Sequence, residues 1–206
     1  MRAVPKRRHE WLLGRAVAKD AVRRLLERHA ALEIAPAEIE ISPDAYGCPR
    51  ACGAWTNRLP AAPSLSIAHS DGTAVALAAL DPGHAVGIDM ESLDRRREDF
   101  ESIAFRPEER ALLDAMPEDS RQEWALRMWC AKEAVGKALG RGLSAGLRAF
   151  TITQMDAGSG GTQVELRDAA LETFPQLRGE RLIAYTTRDM DFVFATIMCC
   201  LRGAVP

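Results

Sequence analysis

Long apolar runs, an excess of charge of either sign and a paired set of cysteines are all missing from this chain of 206 residues. Its longest wholly apolar stretch, Ala74 to Leu80, is far short of the ~18 residues that a membrane-spanning helix needs. The 27 Lys and Arg nearly cancel the 29 Asp and Glu, leaving a formal charge of −2. The chain therefore lacks the overall basicity of a protein that lives on nucleic acid or anionic lipid. Five cysteines, an odd number, do not make a disulfide framework, and reduced thiols in a cytoplasm fit better. Cys48 and Cys52 have no second pair at ligand spacing, which excludes a zinc site of the usual kind, and Cys199 and Cys200 read as core of an apolar strand. Nor does Pro5-Lys6-Arg7-Arg8 begin a secretion signal, because Glu10, Gly14 and Arg15 interrupt the apolar residues after it. What is present, 47% hydrophobic and 27% charged residues, is the composition of an ordinary cytoplasmic folded protein. The length allows one large domain or two small ones.

Periodicity predicts a first helix over about 10–31, with Leu12, Leu13, Val17, Ala21, Leu25 and Leu26 at helical spacings. A short strand at 39–41 and a Pro-, Gly- and Cys-containing loop over 42–63 come next. Extended segments at 64–69, 73–80 and 85–90 are divided by Ser70-Asp71-Gly72 and Asp81-Pro82-Gly83, both turn sequences, which predicts an antiparallel meander. Its first and third strands then run in the same direction, bringing His69 to the same edge as Asp89 and Glu91. The second half repeats the order, with helices at 107–116 and 120–139 and strands at 150–155, 163–166, 181–187 and 192–198. The expected fold is α+β: two similar halves, 1–100 and 101–206, each a long helix packed on a small antiparallel sheet, with the active site in the cleft between them.

In Val86-Gly87-Ile88-Asp89-Met90-Glu91 the two-residue strand period puts Gly87, Asp89 and Glu91 on one face. Two carboxylates that close repel, so a cation between them is one reading, and hard oxygen donors with no nearby Cys or His favour Mg²⁺. Gly87 would leave room for a ligand. A solvated strand end, where acids are common, is the other reading. Downstream, Met128, Ala131, Val135, Ala138 and Leu139 form an apolar helical stripe, while Trp129, Glu133, Gly136, Lys137 and Gly140 lie opposite. Glu133 and Lys137 are one turn apart and suit an ordinary surface pair. A solvated face has no use for Trp129, however, and Gly136 costs the helix about 1 kcal/mol, so something large is expected to approach there.

Together, Gly87-Ile88-Asp89-Met90-Glu91 and Trp129-Cys130-Ala131-Lys132-Glu133-Ala134-Val135-Gly136-Lys137 resemble the 4′-phosphopantetheinyl transferase superfamily, in its longer surfactin-type branch. Leu12-Leu13-Gly14-Arg15, Ser66-Ile67-Ala68-His69-Ser70 and Gly140-Arg141-Gly142-Leu143 extend the resemblance over nearly the whole chain. It implies transfer of phosphopantetheine from coenzyme A to a serine of an acyl or peptidyl carrier protein, leaving adenosine 3′,5′-bisphosphate. Asp89, Glu91 and Glu133 would hold Mg²⁺, and Glu133 would also activate the serine. Asp89, Glu133 and Lys137 form the implied catalytic set. Lys137 and Lys132 would sit near the phosphates, His69 would reach the 3′-phosphate, and Lys6, Arg7, Arg8 and Arg15 would add contacts to it. Where the branch often has Gly-Lys-Pro this chain has Gly47-Cys48-Pro49, with Arg50 as the substitute, and Ala68 stands where a serine can contact the 3′-phosphate. Arg95-Arg96-Arg97 would steer an acidic carrier. Half-length relatives build such clefts between subunits, so this chain is expected to act as a monomer. The alternatives are a non-catalytic coenzyme A- or carrier-binding module of the same fold and, from the acids alone, a Mg²⁺-dependent phosphohydrolase.

Overall fold

The computed structural model describes residues 5–94 and 100–200. Arg95-Arg96-Arg97 and the side chain of Lys6 lie outside the described residues. Helix α1 (Pro5–Ala30) buries Ala18, Val22 and Leu26, one turn apart, against Ile39, Ile41, Trp55 and Leu65. Leu12, expected in that stripe, is 51% exposed, because it sits two residues, or about 200°, from Gly14 at the head of the buried row.

After α1 come two hairpins. Strand β1 (Glu40–Pro43), which overlaps the strand expected at 39–41, and β2 (Pro49–Cys52), inside the segment expected to be loop, form the first. Asp44 makes that turn: its Oδ1 accepts the amide N–H groups of Tyr46 and Cys48 at 2.8 and 2.9 Å, so the chain reverses despite Pro43 and Pro49. Strands β3 (Ser64–Ser70) and β4 (Thr73–Ala79) form the second, closed by Asp71 and Gly72, both at positive φ.

Strand β5 (His84–Ser92) departs from the expected meander. It does not pair with β4. After α2 (Phe100–Ala104), α3 (Pro107–Asp114) and α4 (Glu118–Ala138), the chain builds β6 (Phe150–Met155), β7 (Gly161–Leu166), α5 (Asp168–Thr173), β8 (Leu182–Asp189) and β9 (Phe192–Cys200). These strands and β5 form one antiparallel sheet in the order β5-β9-β8-β7-β6, with β5 against β9 in unbroken register from His84↔Cys200 to Ser92↔Phe192. The reason is burial: Val86 to Ser92 are all buried, and only a partner on one edge with helix α4 on one face covers such a strand. Cys200, expected in the core, points outward because the strand period that buries Cys199 exposes its neighbour.

β5 is an edge strand, and β3 still runs beside it in the same direction. Serine hydroxyls take the place of a ladder: Ser64 Oγ accepts from Val86 N at 3.0 Å, Ser66 Oγ from Ile88 N at 3.1 Å and Ser70 Oγ from Ser92 N at 3.3 Å. The offset is 22 residues in every case. Ala68 and Met90 occupy the rung between, within a small cluster completed by Ile88, Val75, Leu77, Phe192 and Phe194. This row ties the α1 half to the sheet under α4.

Candidate active site

Helix α4 lies directly on β5, and glycines decide how closely. A Cβ at Gly87 would fall on the Ala134 carbonyl oxygen, so the glycine makes room for α4 and not for a ligand. Gly136 likewise admits the carbonyl of Gly142 and the Leu143 side chain, so what approaches there is the chain's own returning loop. Gly140, at φ +73°, begins that loop. Trp129 is half-buried, its ring edge-on to Phe100 at 5.4 Å, so α2 covers it.

This close packing delivers Lys137 to the acidic pair. Its Nζ donates to Asp89 Oδ1 at 2.7 Å and to the Ile88 carbonyl at 3.1 Å. Asp89 Oδ2 is buried with no hydrogen-bond partner. Burial pushes the Asp89 carboxyl above its ordinary value; the Lys137 ammonium pulls it back, and Glu91 adds a smaller upward push. Glu91 is 7% exposed, and its Oε2 accepts the Ser70 hydroxyl at 3.2 Å. Cys130 lies beneath, its thiol held well above the usual range by burial and then by the charges of Asp89 and Glu91. Glu133 sits on α4 one turn before Lys137, half-buried.

Lys132 is elsewhere. It is fully buried, with Nζ 2.8 Å from Glu109 and donating to the Ala104 carbonyl at 2.8 Å, so it reaches no phosphate site. Burial lowers its pKa, against the pull of Glu109. Glu109 in turn accepts from Ile152 N at 2.7 Å and Arg106 N at 2.8 Å, so the pair fastens α3, α4 and β6 together. The helical phase contains the signal: Lys132 falls within the apolar stripe, one turn after Met128.

Two cavities border this region, and Pro49 lines both. The first, about 680 Å³, gathers Arg7, Arg8, Arg15 and His69 around Trp11 and Gly47. Arg15 Nε is buried with no hydrogen-bond partner, and its guanidinium lies 4.9 Å from the Trp11 ring centre. This is a basic, aromatic-walled site. The second, about 560 Å³, is lined by Arg50, Cys48, Ser64 and His84 from the first half and by Lys137 and Gly140 from α4 and its end. Arg50 is mostly exposed, 3.5 Å from Asp44. Cys48 donates to the Gly140 carbonyl at 3.2 Å, and Arg141 stacks on Tyr46 at 3.5 Å, so the β1–β2 turn is clasped to the end of α4. Ala68 faces neither cavity; it is 2% exposed in the row against β5, where a hydroxyl would meet a strand amide.

The donor set suits a hard divalent cation. Two strand carboxylates on one face, one with an orphaned buried oxygen, are what Mg²⁺ takes. Among the described residues no three His, Cys, Asp or Glu side chains are gathered into a metal cluster.

A family model described as the 4′-phosphopantetheinyl transferase superfamily matches residues 85–186, a span that holds the acidic pair, α4 and most of the large sheet. The chain belongs to that superfamily. Among its relatives, a 4′-phosphopantetheinyl transferase, HetI, of Nostoc is 38% identical over 82 residues, or 38% of this chain and 33% of that protein. A 4′-phosphopantetheinyl transferase of Bacillus subtilis is 28% identical over 162 residues, covering 78% of this chain and 64% of that one. A holo-[acyl-carrier-protein] synthase of Shewanella amazonensis is 28% identical over 120 residues, or 56% of this chain and 96% of that one. The match thus spans a third of the Nostoc protein and just under two thirds of the Bacillus one. Of solved structures, the holo-[acyl-carrier-protein] synthase of Neisseria meningitidis is similar at 24% identity and a TM-score of 0.45, over 55% of this chain and 94% of that chain. The Helicobacter pylori synthase, solved with coenzyme A, is similar at 21% identity and a TM-score of 0.40, over 54% of this chain and 96% of that chain. Among the described residues no helix is long and apolar enough to cross a membrane.

Proposed function

We propose that this superfamily member transfers the 4′-phosphopantetheine of coenzyme A to a serine hydroxyl of an acyl or peptidyl carrier protein, in a Mg²⁺-dependent reaction that releases adenosine 3′,5′-bisphosphate. The observation that carries the reading is the Lys137–Asp89 pair on the border of α4 and β5, with the basic cavity of Arg8, Arg15 and His69 nearby. The superfamily match supports it over a phosphohydrolase.

In this reading Asp89, Glu91 and, from α4, Glu133 would hold Mg²⁺, which would supply positive charge against the pyrophosphate. Three carboxylates and one divalent ion leave about −1 at the site, so an anionic substrate needs further cations. Lys137 is the near one; Lys132, tied to Glu109, contributes none. Arg8, Arg15 and His69 hold the 3′-phosphate, with Trp11 as a wall for the base, and Arg50 lines the path toward Lys137. Glu133 takes the proton of the carrier serine as its oxygen attacks the phosphorus that bears pantetheine. The bond from that phosphorus to the bridging oxygen breaks, and the electron pair leaves on adenosine bisphosphate, stabilised by Lys137. The chain works as a cytoplasmic monomer, with both walls of the cleft supplied by one polypeptide.

Chromatography of the small-molecule products tests this. Adenosine 3′,5′-bisphosphate should appear only when the protein, coenzyme A, Mg²⁺ and an apo carrier protein are all present. Coenzyme A binding with no product on any of several carriers would replace the reading with a non-catalytic binding module.

A further inference from the structure

Ser70 stands out within the row of hydroxyls between β3 and β5. Ser64 and Ser66 Oγ accept strand amides; Ser70 does this and also meets a carboxylate of the acidic pair. An amide N–H only donates, so Ser92 N uses a lone pair of Ser70 Oγ at 3.3 Å. The single hydroxyl proton is thereby left for Glu91 Oε2 at 3.2 Å. Ser70 is 3% exposed and Glu91 7%, so bulk water does not compete freely for either group. A buried carboxylate that accepts such a hydrogen bond is held in a fixed orientation. The neighbouring residue on β3 is His69, whose side chain lies on the opposite face and lines the basic cavity. Two adjacent residues of one strand therefore touch the two regions that the proposed reaction must hold in register.

We infer that Ser70 is a positioning residue: it orients Glu91 for a divalent cation and sets the spacing between that carboxylate and the His69 cavity. The inference rests on the proposed Mg²⁺ role of Glu91. Ser70 touches neither substrate nor reacting atoms.

The test measures Mn²⁺ binding to the full-length chain by electron paramagnetic resonance of the free ion, without turnover. Four variants are compared with the parent: Ser70→Ala, Ser70→Thr, Ser66→Ala and Glu91→Gln. Ser66→Ala removes a rung of the same row without touching Glu91, so it reports the cost of loosening β3 alone. Ser70→Ala should weaken Mn²⁺ binding about 10- to 100-fold, the usual loss for a partner of a metal ligand. Ser70→Thr, which keeps the hydroxyl, should recover most of that loss. Ser66→Ala should lower the melting temperature yet bind Mn²⁺ like the parent. In transfer assays Ser70→Ala should raise the Mg²⁺ concentration for half-maximal rate while kcat at saturating Mg²⁺ is retained. Parent-like Mn²⁺ affinity in Ser70→Ala, with Glu91→Gln impaired, overturns the positioning role and leaves the Mg²⁺ reading standing. An equal loss in Ser66→Ala overturns it in favour of strand docking. Unimpaired binding in Glu91→Gln overturns both the role and the reading beneath it.

Discussion

Lys132 and Lys137 are five residues apart on one helix, and the fold gives them opposite work. Lys137 reaches out to Asp89, whereas Lys132 is spent on Glu109 inside the core. Lys132→Met should therefore destabilise the protein by about 3–5 kcal/mol in denaturant unfolding, because Glu109 is left charged and buried without its partner. Adding Glu109→Gln should recover part of that loss. A variant that kept its stability but lost coenzyme A affinity would instead return Lys132 to the phosphates. At Glu133 the expected effect is on chemistry: Glu133→Gln should slow transfer about 10²- to 10⁴-fold at every Mg²⁺ concentration. Parental rates restored by excess Mg²⁺ would reduce its role to metal affinity. The thiols report burial directly. Burial pushes Cys199 up to about 11 and Cys130 well above the usual range, while Cys52 and Cys200 are exposed. Aromatic-disulfide reagent at neutral pH should label Cys52 and Cys200 quickly, and Cys130 and Cys199 only on unfolding.

Among the elements, the contact of α4 with β5 matters most, and it hangs on Gly87. Gly87→Ala drives a methyl into the Ala134 carbonyl, part of a helix backbone that cannot step aside cheaply, and should cost about 1–3 kcal/mol or more. A melting temperature equal to the parent's would mean that α4 does not lie on β5 as described. Most helices and strands were legible from period and turn chemistry, including β6, whose bounds match at 150–155. β2 was not, because Pro49-Arg50-Ala51-Cys52 buries only Ala51, and the Asp44 turn, more than strand propensity, holds it. The partner of β5 was not legible either. Alternation shows which face of a strand is buried but not which of several apolar strands it will join, and β9 lies about a hundred residues downstream. The same limit hid Ser70, whose significance depends on an offset to another strand.

For the whole molecule, the sequence places His69, Asp89 and Glu91 in one half and Glu133 and Lys137 in the other. The structure joins the halves more deeply than that division suggests, since β5 of the first is hydrogen-bonded into the sheet of the second. The serine row and the Cys48–Gly140 and Tyr46–Arg141 contacts fasten the same seam. Arg8, Arg15 and His69 share one cavity, and Arg50 lies with Lys137 in another. The formal charge of −2 thus averages over an acidic pair, a basic cavity and the Lys132–Glu109 ion pair sealed in the core. In the proposed function this arrangement moves phosphopantetheine onto a carrier serine. Intact-mass measurement of an apo carrier protein, incubated with this protein, coenzyme A and Mg²⁺, tests it most directly. The carrier should become heavier by one phosphopantetheinyl group, with no gain when Mg²⁺ is chelated or Lys137 is replaced by Ala. An unchanged mass on every carrier tried, from a protein shown to be folded, would contradict it.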